Sequence, residues 1–348
     1  MKIANYIGGF RPFHNGHISM ISQALNDFDK VRIIVGSYQN AISIRCPFTG
    51  KQRVEIIQQW IVNNDMADRV IVSTNDDFLT DVEWLDSLEQ FVENDETFIV
   101  SEREGTDYID ALKSRFNVKT YPVINTISAT QIRNALFDDE YPHMKFIKNN
   151  APIESYDFLV WYQKTPEYYT MYNEFQAVSE IKKEAAKMKY PPIYVCADAF
   201  VLVKSRDGLH IMLIRRNGEI GHNQLALPGG YVNQNEFVIQ AAARELFEET
   251  GIDSNDPDLN SIDLTMLADY PTRSTRGRVI SFVYSYVLNK ENFKIDDLLF
   301  HAGDDACEVV MMYIHDLGKN RSSFFEDHYL IIKNMLERWF DNMNMPHN

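Results

Sequence analysis

GGFRPFHNGH, residues 8–17, follows directly after the apolar run KIANYI and decides how the first half of the chain folds. Its two leading glycines allow the backbone to turn sharply and to pass close to a ligand. The segment GHISMISQALNDF (16–28) carries apolar residues at helical spacing, so the stretch joins a strand to a helix. The unpaired N–H groups of a helix start bind anions. Because Arg11, His14 and His17 lie beside that start, the stretch predicts a phosphate site.

Short apolar runs alternate with amphipathic segments from this stretch up to about residue 140. Such runs are typical of buried parallel strands, and their alternation with helices predicts an open parallel α/β sheet of Rossmann type. Ligands bind such sheets at the carboxyl ends of the strands, where the strand order switches. The further strand-like runs are VRIIVGS (31–37), RVIVST (69–74), TFIVSE (97–102) and VKTYPVI (118–124).

In the second half of the chain, strand-like and helix-like segments no longer alternate regularly, and this change of pattern predicts two domains. Residues 151–185 are expected to form a helical extension, and the turn YPP at 190–192 ends it. We therefore predict a first domain over 1–185, with its core at 1–150, and an α+β domain over 190–348. The expected strands and helices of the second domain are IYVCADAFVLVK (193–204), HIMLIRR (210–216), QLALPGGYV (224–232), RVISFVYSYVL (278–288), EFVIQAAARELFEETG (236–251) and EDHYLIIKNMLERWFDNM (326–343).

The composition excludes several classes of protein. The formal net charge of −16 argues against a nucleic-acid partner, because such binding depends on lysine and arginine. No apolar run approaches the ~18 residues of a membrane span, and no signal-peptide pattern is present. Cys46, Cys196 and Cys307 are odd in number and far apart, which argues against a disulfide framework and favours a cytoplasmic protein. The sequence is compatible with a homo-oligomer and does not determine the oligomeric state.

A second phosphate-binding candidate is ISATQIR, residues 127–133, which places Ser128, Thr130 and Arg133 at another helix start. An ordinary N-cap with a solvent-facing arginine is the alternative. The two stretches together resemble the HxGH and ISxTxxR motifs of the nucleotidylyltransferase superfamily. That resemblance implies catalysis by Arg11, His14, His17 and Arg133. It also implies that ATP is bound by Gly8, Gly9, Phe10, His14, His17, Ser128, Thr130 and Arg133.

Within that superfamily, residues 1–150 most resemble archaeal-type nicotinamide mononucleotide (NMN) adenylyltransferases. GSYQNAISIRCPFTGKQR (36–53) carries this likeness, although Ile42 stands where the family usually has histidine. The resemblance implies transfer of AMP from ATP to NMN, giving NAD and pyrophosphate. It further implies that NMN is bound by Arg45, Asn75, Asp76 and Trp84. A core position is the alternative for Trp84, and phosphopantetheine is the alternative acceptor.

GYVNQNEFVIQAAARELFEETGI, residues 230–252, matches the Nudix box GX5EX7REUXEEXGU at every fixed position. Glu245, Glu248 and Glu249 are spaced to share one helical face. Three clustered carboxylates repel one another unless a cation lies among them, and hard oxygen ligands select Mg²⁺ or Mn²⁺. Arg244 is expected to hold a carboxylate by a bidentate pair, and Gly251 to end the helix. A solvated acidic helix face is the alternative.

By resemblance, the Nudix metal ligands are Gly230, Glu245, Glu248 and Glu249. The general base stays open among Glu248, Glu249 and a later loop containing Asp304, Asp305 and Glu308. YPTRSTRGRVISFVY (270–284) resembles ADP-ribose pyrophosphatases, which implies that the substrate is bound by Arg273, Arg276 and Arg278. The sequence thus predicts a bifunctional enzyme acting on ATP, NMN, NAD and ADP-ribose. The alternatives for the second half are another nucleoside diphosphate substrate and a non-catalytic nucleotide sensor.

Overall fold

A computed structural model describes residues 2–92, 96–102, 105–139, 143–298, 300, 302–303 and 306–342. The chain divides into two compact units, Met1–Phe175 and Gln176–Asn348. This division falls earlier than the predicted domain boundary at 185, inside a helix that continues to Ala186. In the part of the chain that is described, no helix is both long enough and apolar enough to cross a bilayer.

The N-terminal unit contains a five-stranded sheet in which every pair of neighbouring strands is parallel. The strand order is β3-β2-β1-β4-β5. Strands β2 and β3 are therefore added on one side of β1, and β4 and β5 on the other side, so the strand order switches between β1 and β4. This confirms the predicted open parallel α/β sheet and places the ligand crevice beside the end of β1. The strands are β1 (Ile3–Gly8), β2 (Lys30–Val35), β3 (Val70–Thr74), β4 (Thr97–Ser101) and β5 (Asn117–Tyr121).

Helices cover this sheet because the strands are almost fully apolar and must be buried on both faces. Ile33 and Ile34 in β2 have no exposed surface; Ile33 packs in one cluster with Trp60, and Ile34 lies in a separate cluster. Thr49 and Ser128 cap their helices with reciprocal side-chain and backbone hydrogen bonds. The helices are α1 (Asn15–Asp27), α2 (Gly50–Asn63), α3 (Asp81–Glu89), α4 (Thr106–Lys113), α5 (Ala129–Phe137), α6 (His143–Asn150), α7 (Ile153–Tyr162) and α8 (Pro166–Ala186).

The C-terminal unit contains a mixed sheet with the order β10-β11-β6-β7-β12, which confirms the predicted α+β class. The long strands β6 and β11 are parallel, whereas β7 is antiparallel to both of its neighbours. The short strands β8 and β9 pair with β7 and β6. The elements are β6 (Ile193–Ser205), β7 (Gly208–Arg216), β8 (Leu225–Ala226), β9 (Gly229–Tyr231), α9 (Val238–Thr250), β10 (Leu259–Ala268), β11 (Arg278–Lys290), β12 (Ala306–Tyr313) and α10 (His328–Asn342).

Candidate active sites

A cavity of about 450 Å³ opens beside the end of β1 in the N-terminal unit. It brings the two predicted phosphate-binding stretches together, although they lie more than a hundred residues apart in sequence. The sequence-predicted residues that line it are Gly9, Phe10, Arg11, His14, His17, Arg45, Ser128, Thr130 and Arg133. Gly8, Asn75, Asp76 and Trp84 are not among its lining residues.

His14 and His17 are stacked at the start of α1, with ring centroids 3.7 Å apart. His14 Nδ1 accepts a hydrogen bond from the Gly16 amide at 3.1 Å, and His17 Nδ1 accepts one from the His14 amide at 3.1 Å. A neutral imidazole that accepts at Nδ1 carries its proton on Nε2. Burial and the neighbouring His14 hold the pKa of His17 well below its usual range. His17 is therefore a neutral N–H donor at pH 7.

Gly16 is required by the close packing around this pair. A Cβ atom at position 16 would lie 2.9 Å from His14 Cε1 and 3.1 Å from the Ile127 carbonyl oxygen. Both distances are tighter than ordinary contacts, so a side chain there would displace either the His14 ring or the stretch that contains Ser128. The sequence motif therefore contains glycine because the two stretches meet at this point.

Arg11 and Arg133 are two of the three arginines that line the cavity and give it positive charge. Arg133 Nη1 donates to the Arg11 carbonyl at 2.7 Å, and Arg133 Nη2 donates to Thr130 Oγ1 at 3.1 Å. Burial, together with the nearby Arg11, lowers the pKa of Arg133 to about 10, so its guanidinium stays charged at pH 7. Arg11 Nη2 donates to Ser37 Oγ, which in turn donates to Asp77 Oδ1 at 2.8 Å. Ser37 and Asp77, which support Arg11 in this way, are not among the residues predicted from the sequence.

Arg53 is another arginine close to the cavity loops, but its hydrogen bonds are made to the protein backbone. Its side chain is buried and donates to the carbonyl oxygens of Gly9 at 2.7 Å, Gly36 at 2.8 Å and Ser37 at 2.7 Å. These carbonyls lie at the carboxyl ends of β1 and β2. Arg53 therefore ties together the two loops that enter the cavity, with no need to contact a ligand.

Of the four residues expected to bind NMN, Arg45 lines the cavity, whereas Asn75, Asp76 and Trp84 lie just after β3 and on α3. Asp76 Oδ1 accepts from the Gln39 amide at 2.8 Å, and Asn75 Nδ2 donates to Ser87 Oγ at 2.9 Å. Trp84 is half-buried against an apolar cluster, with its ring 5.5 Å from that of Tyr108. The structure thus gives these side chains contacts within the fold, and their contact with NMN stays a prediction.

The Nudix box forms β9, the loop after it and α9 in the C-terminal unit. Arg244 pairs with Glu236 through two hydrogen bonds of 3.0 and 2.8 Å, which confirms the expected bidentate arrangement. The same guanidinium donates to Glu245 at 2.8 Å and to Glu248 at 2.7 Å. Its hydrogen bonds lower the pKa of Glu236 to about 2. As predicted, the helix ends at Gly251, which takes the left-handed conformation with φ 76°.

Glu249 lies on the buried side of α9, where its side chain meets β9. Glu249 Oε2 accepts from the Gly229 amide at 2.9 Å, and the residue is only 3% exposed. Burial raises the pKa of Glu249 to about 8, since desolvation disfavours the carboxylate. A Cβ atom at Gly230 would lie 2.4 Å from Glu245 Oε1, so glycine lets β9 run directly against that carboxylate.

These carboxylates fit a divalent cation by their chemistry. Glu249 is an acid whose pKa is raised by burial, and the Glu245 carboxylate lies against Gly230 of β9. A hard cation prefers oxygen ligands and stabilises an ionised carboxylate. In the described part of the chain, no preformed group of three His, Cys, Asp or Glu side chains is placed to hold a metal. In this conformation the Arg244 guanidinium forms ion pairs with both Glu245 and Glu248.

The three arginines expected to bind ADP-ribose have different surroundings. Arg273 is buried, and its guanidinium is paired with both oxygens of Asp327 at 2.9 and 2.8 Å. Arg276 donates to Tyr231 Oη at 3.1 Å and also lies against Glu326. Arg278, the first residue of β11, donates to the Asp269 carbonyl. Arg273 is therefore used within the fold, whereas Arg276 and Arg278 are partly exposed.

The later loop that was expected to offer a general base is partly a strand. Glu308 lies on β12, where its carboxylate pairs with Arg215 at 2.7 Å. This corrects the prediction that Glu308 is a loop residue, because a run of apolar residues after it extends the sheet. Asp304 and Asp305 lie outside the described residues.

Comparison with known proteins places this chain in a family. Residues 5–173 match the family model described as cytidylyltransferase-like. Nicotinamide-nucleotide adenylyltransferase from Sulfurisphaera tokodaii is 30% identical over 144 residues, which cover 39% of this chain and 80% of that protein. The chain belongs to the nicotinamide-nucleotide adenylyltransferase family. Another relative, nicotinamide/nicotinic acid mononucleotide adenylyltransferase from Acinetobacter baylyi, is 26% identical over 49% of this chain and 92% of its own length.

This adenylyltransferase family member also carries a second domain. Residues 196–335 match the NUDIX domain model. An ADP-ribose pyrophosphatase from Methanocaldococcus jannaschii is 36% identical over 129 residues, which cover 37% of this chain and 66% of that protein. The predicted fusion of a nucleotidylyltransferase with a Nudix domain is therefore confirmed.

One solved structure resembles the adenylyltransferase and Nudix parts together. It is a bifunctional NMN adenylyltransferase/ADP ribose pyrophosphatase from Francisella tularensis, with a TM-score of 0.83 and 28% identity over 97% of this chain and 98% of that chain. A second structure of that protein, complexed with AMP and a Mn ion, has a TM-score of 0.82 and 27% identity, covering 97% of this chain and 99% of that one.

Proposed function

We propose that this chain is a bifunctional enzyme of NAD metabolism. The N-terminal unit transfers AMP from ATP to NMN, giving NAD and pyrophosphate. The C-terminal unit hydrolyses ADP-ribose to AMP and ribose 5-phosphate with Mg²⁺ or Mn²⁺. The observation that carries the proposal is the structural likeness over 97% of the chain to a protein with both activities.

The cavity of the N-terminal unit supports adenylyl transfer without a general base. The NMN phosphate is already ionised at pH 7, so it needs only to be positioned against the α-phosphorus of ATP while charge is neutralised. Neutral His17 offers a hydrogen bond to a phosphate oxygen, and Arg11 and Arg133 offer positive charge. Donors fixed in this way stabilise the charge that develops in the transition state.

Beside His17, Arg11 and Arg133, we propose that the helix starts at His14 and Ser128 hold the ATP phosphates. Gly8, Gly9 and Phe10 let the backbone approach the nucleotide, and Thr130 supports Arg133. The NMN acceptor would lie toward Arg45, Asn75, Asp76 and Trp84. A pyridine mononucleotide is favoured over other acceptors because the named adenylyltransferase relatives act on such mononucleotides.

In the C-terminal unit, Glu245, Glu248 and Glu249 are the proposed cation ligands, joined by the Gly230 backbone. A divalent cation bound there supplies positive charge to the diphosphate and lowers the pKa of a water molecule. Arg244 orients Glu245 and Glu248, and the Gly229 amide orients Glu249. Arg276 and Arg278, which are partly exposed, are the proposed substrate contacts. The three cysteines are unpaired, which suits the proposed cytoplasmic setting.

A product assay on the whole chain tests both halves. One reaction contains NMN, ATP and Mg²⁺, and the other contains ADP-ribose with Mg²⁺ or Mn²⁺. NAD in the first and AMP in the second are the expected products. The variant Glu249→Gln serves as the control that should lose only the second reaction. ADP-ribose binding without AMP release would instead indicate a nucleotide sensor, and pyrophosphate release only with another acceptor would overturn NMN as the substrate.

A further inference from the structure

The helices that follow the α/β core carry three buried polar side chains, each of which contacts the backbone beside the cavity. We call α7 together with α8 up to Phe175 the helical scaffold. Its buried polar residues are Ser155, Tyr162 and Glu174, with exposures of 0%, 1% and 2%. Burying a hydroxyl or a carboxyl is costly unless a hydrogen bond compensates for the lost water. Their partners therefore show what this scaffold holds.

Ser155 holds the first phosphate-binding stretch. Its Oγ donates to the Phe13 carbonyl oxygen at 2.8 Å in a buried contact. Phe13 directly precedes His14, whose ring caps α1 and stacks on His17. The Ser155 hydroxyl thereby fixes the peptide unit from which the catalytic histidine pair projects.

Tyr162 and Glu174 hold the segment that carries Arg45. Tyr162 Oη donates to the Pro47 carbonyl at 3.1 Å, and Glu174 Oε1 accepts from the Ile44 amide at 3.3 Å. These two anchors flank Arg45, which lines the cavity. The tight turn between them closes through two backbone hydrogen bonds joining Ser43 and Cys46, at 3.1 and 2.8 Å.

The scaffold also shares an apolar core with the walls of the cavity. Phe48, which follows the Arg45 turn, packs on Tyr162 with ring centroids 5.0 Å apart. Ile127 and Ile132, from the stretch that contains Ser128, belong to the same buried cluster as Leu159. Three separate pieces of the cavity wall thus rest on α7 and α8. A helix that acted only as a spacer would not need buried hydrogen bonds to these backbone atoms.

We propose that Ser155, Tyr162 and Glu174 are positioning residues for adenylyl transfer, an inference that rests on the proposed function of this unit. They act by fixing the backbone on either side of His14 and Arg45, and none of them touches substrate. Because small displacements of catalytic groups reduce the rate of the chemical step, their effect should fall on kcat more than on KM.

Three substitutions remove one buried polar group each while preserving most of the buried volume: Ser155→Ala, Tyr162→Phe and Glu174→Leu. Each leaves a backbone partner without its hydrogen bond, and we expect kcat for NAD formation to fall about tenfold. Glu174→Gln keeps an acceptor oxygen and should restore most of the activity. Tyr169→Phe, which removes an exposed hydroxyl from α8 of the same scaffold, is the matched control for Tyr162→Phe.

Two further readouts separate positioning from loss of folded protein. ADP-ribose hydrolysis by the same samples reports the second unit and should stay at the wild-type rate. Amide hydrogen exchange should accelerate locally, at residues 13–17 for Ser155→Ala and at 43–48 for the other two variants. That exchange measurement is independent of turnover, so it tests the inference even if the wild-type chain forms no NAD.

Unchanged exchange in both segments together with wild-type kcat in all three variants would overturn the inference. Equal damage by Glu174→Gln and Glu174→Leu would overturn the assigned role of the Glu174 acceptor. If the wild-type chain made no NAD while the variants still showed faster amide exchange in these segments, the proposed function would be refuted. The positioning contacts would still be supported.

Discussion

The Nδ1 atoms of both His14 and His17 accept hydrogen bonds from backbone amides at the start of α1, which leaves the Nε2 atom of each neutral ring to carry a proton. The helix start thus orients two donors beside the cavity instead of binding the anion with its own amides alone. We expect His17→Ala to lower kcat for NAD formation about 100-fold or more, because a preorganised donor is lost. The measurement is NAD formation at saturating NMN and ATP, and near-normal turnover would contradict the assignment. ADP-ribose hydrolysis by the same variant should be unchanged.

Gly16→Ala tests the close packing between the two stretches that are proposed to bind phosphate. The new Cβ atom would lie 2.9 Å from His14 Cε1, so the ring must move. We expect kcat for NAD formation to fall about tenfold, with a smaller change in the KM of NMN. Gly105→Ala is the matched control, since a Cβ atom there meets no atom of the described residues within 4 Å. Equal activity of the two variants would show that the cavity tolerates the displacement.

Much of this fold could be predicted from the pattern of apolar residues. The alternation over the first 140 residues predicted the five parallel strands, because strands buried on both faces must be apolar throughout. Strands β10 and β12 were missed because they form the two ends of the second sheet and carry polar residues such as Asp263 and Glu308. An edge strand needs only partial burial, so its sequence resembles that of a loop.

The residues of the candidate sites could be predicted where a motif fixes their spacing, as for His14, His17 and Glu249. The roles of individual arginines could not be predicted. Arg53 and Arg273 have the same chemistry as a phosphate ligand, yet the first binds three backbone carbonyls and the second binds Asp327. Their partners lie far away along the chain, so no local sequence pattern shows whether a guanidinium binds a ligand or another part of the protein.

The carboxylates of α9 should couple cation binding to the stability of the second unit. Glu249 is buried with a raised pKa, so a divalent cation that stabilises its ionised form should also stabilise the folded state. We expect added Mn²⁺ to raise the melting temperature of this unit in the wild type and to have little effect on Glu245→Gln or Glu249→Gln. Chelation should abolish ADP-ribose hydrolysis. An equal stabilisation of both variants by Mn²⁺ would place the cation elsewhere.

The Arg273–Asp327 pair should matter for stability more than for substrate binding. Both side chains are largely buried, so Arg273→Ala leaves the Asp327 carboxylate without its partner. Breaking a buried pair in this way costs about 3–5 kcal/mol of the free energy of unfolding. We expect urea denaturation to show that loss, and Arg278→Ala to raise the KM of ADP-ribose at nearly unchanged stability. A stable Arg273→Ala variant with a raised KM would instead support direct substrate contact by Arg273.

His328 should make the stability of the second unit depend on pH. Its Nδ1 accepts from the Leu227 amide at 3.1 Å, and burial, reinforced by nearby arginines, holds its pKa well below the usual 6.5. Below pH 6.5 the unfolded chain therefore binds a proton at this residue that the folded unit excludes, so the free energy of unfolding must fall as the pH falls. The slope from one histidine is at most about 1.4 kcal/mol per pH unit. His328→Asn retains an acceptor without a titrating group, so urea denaturation between pH 5 and 7 should give a shallower pH dependence for the variant. If the two slopes were identical, this histidine would not be the group that titrates.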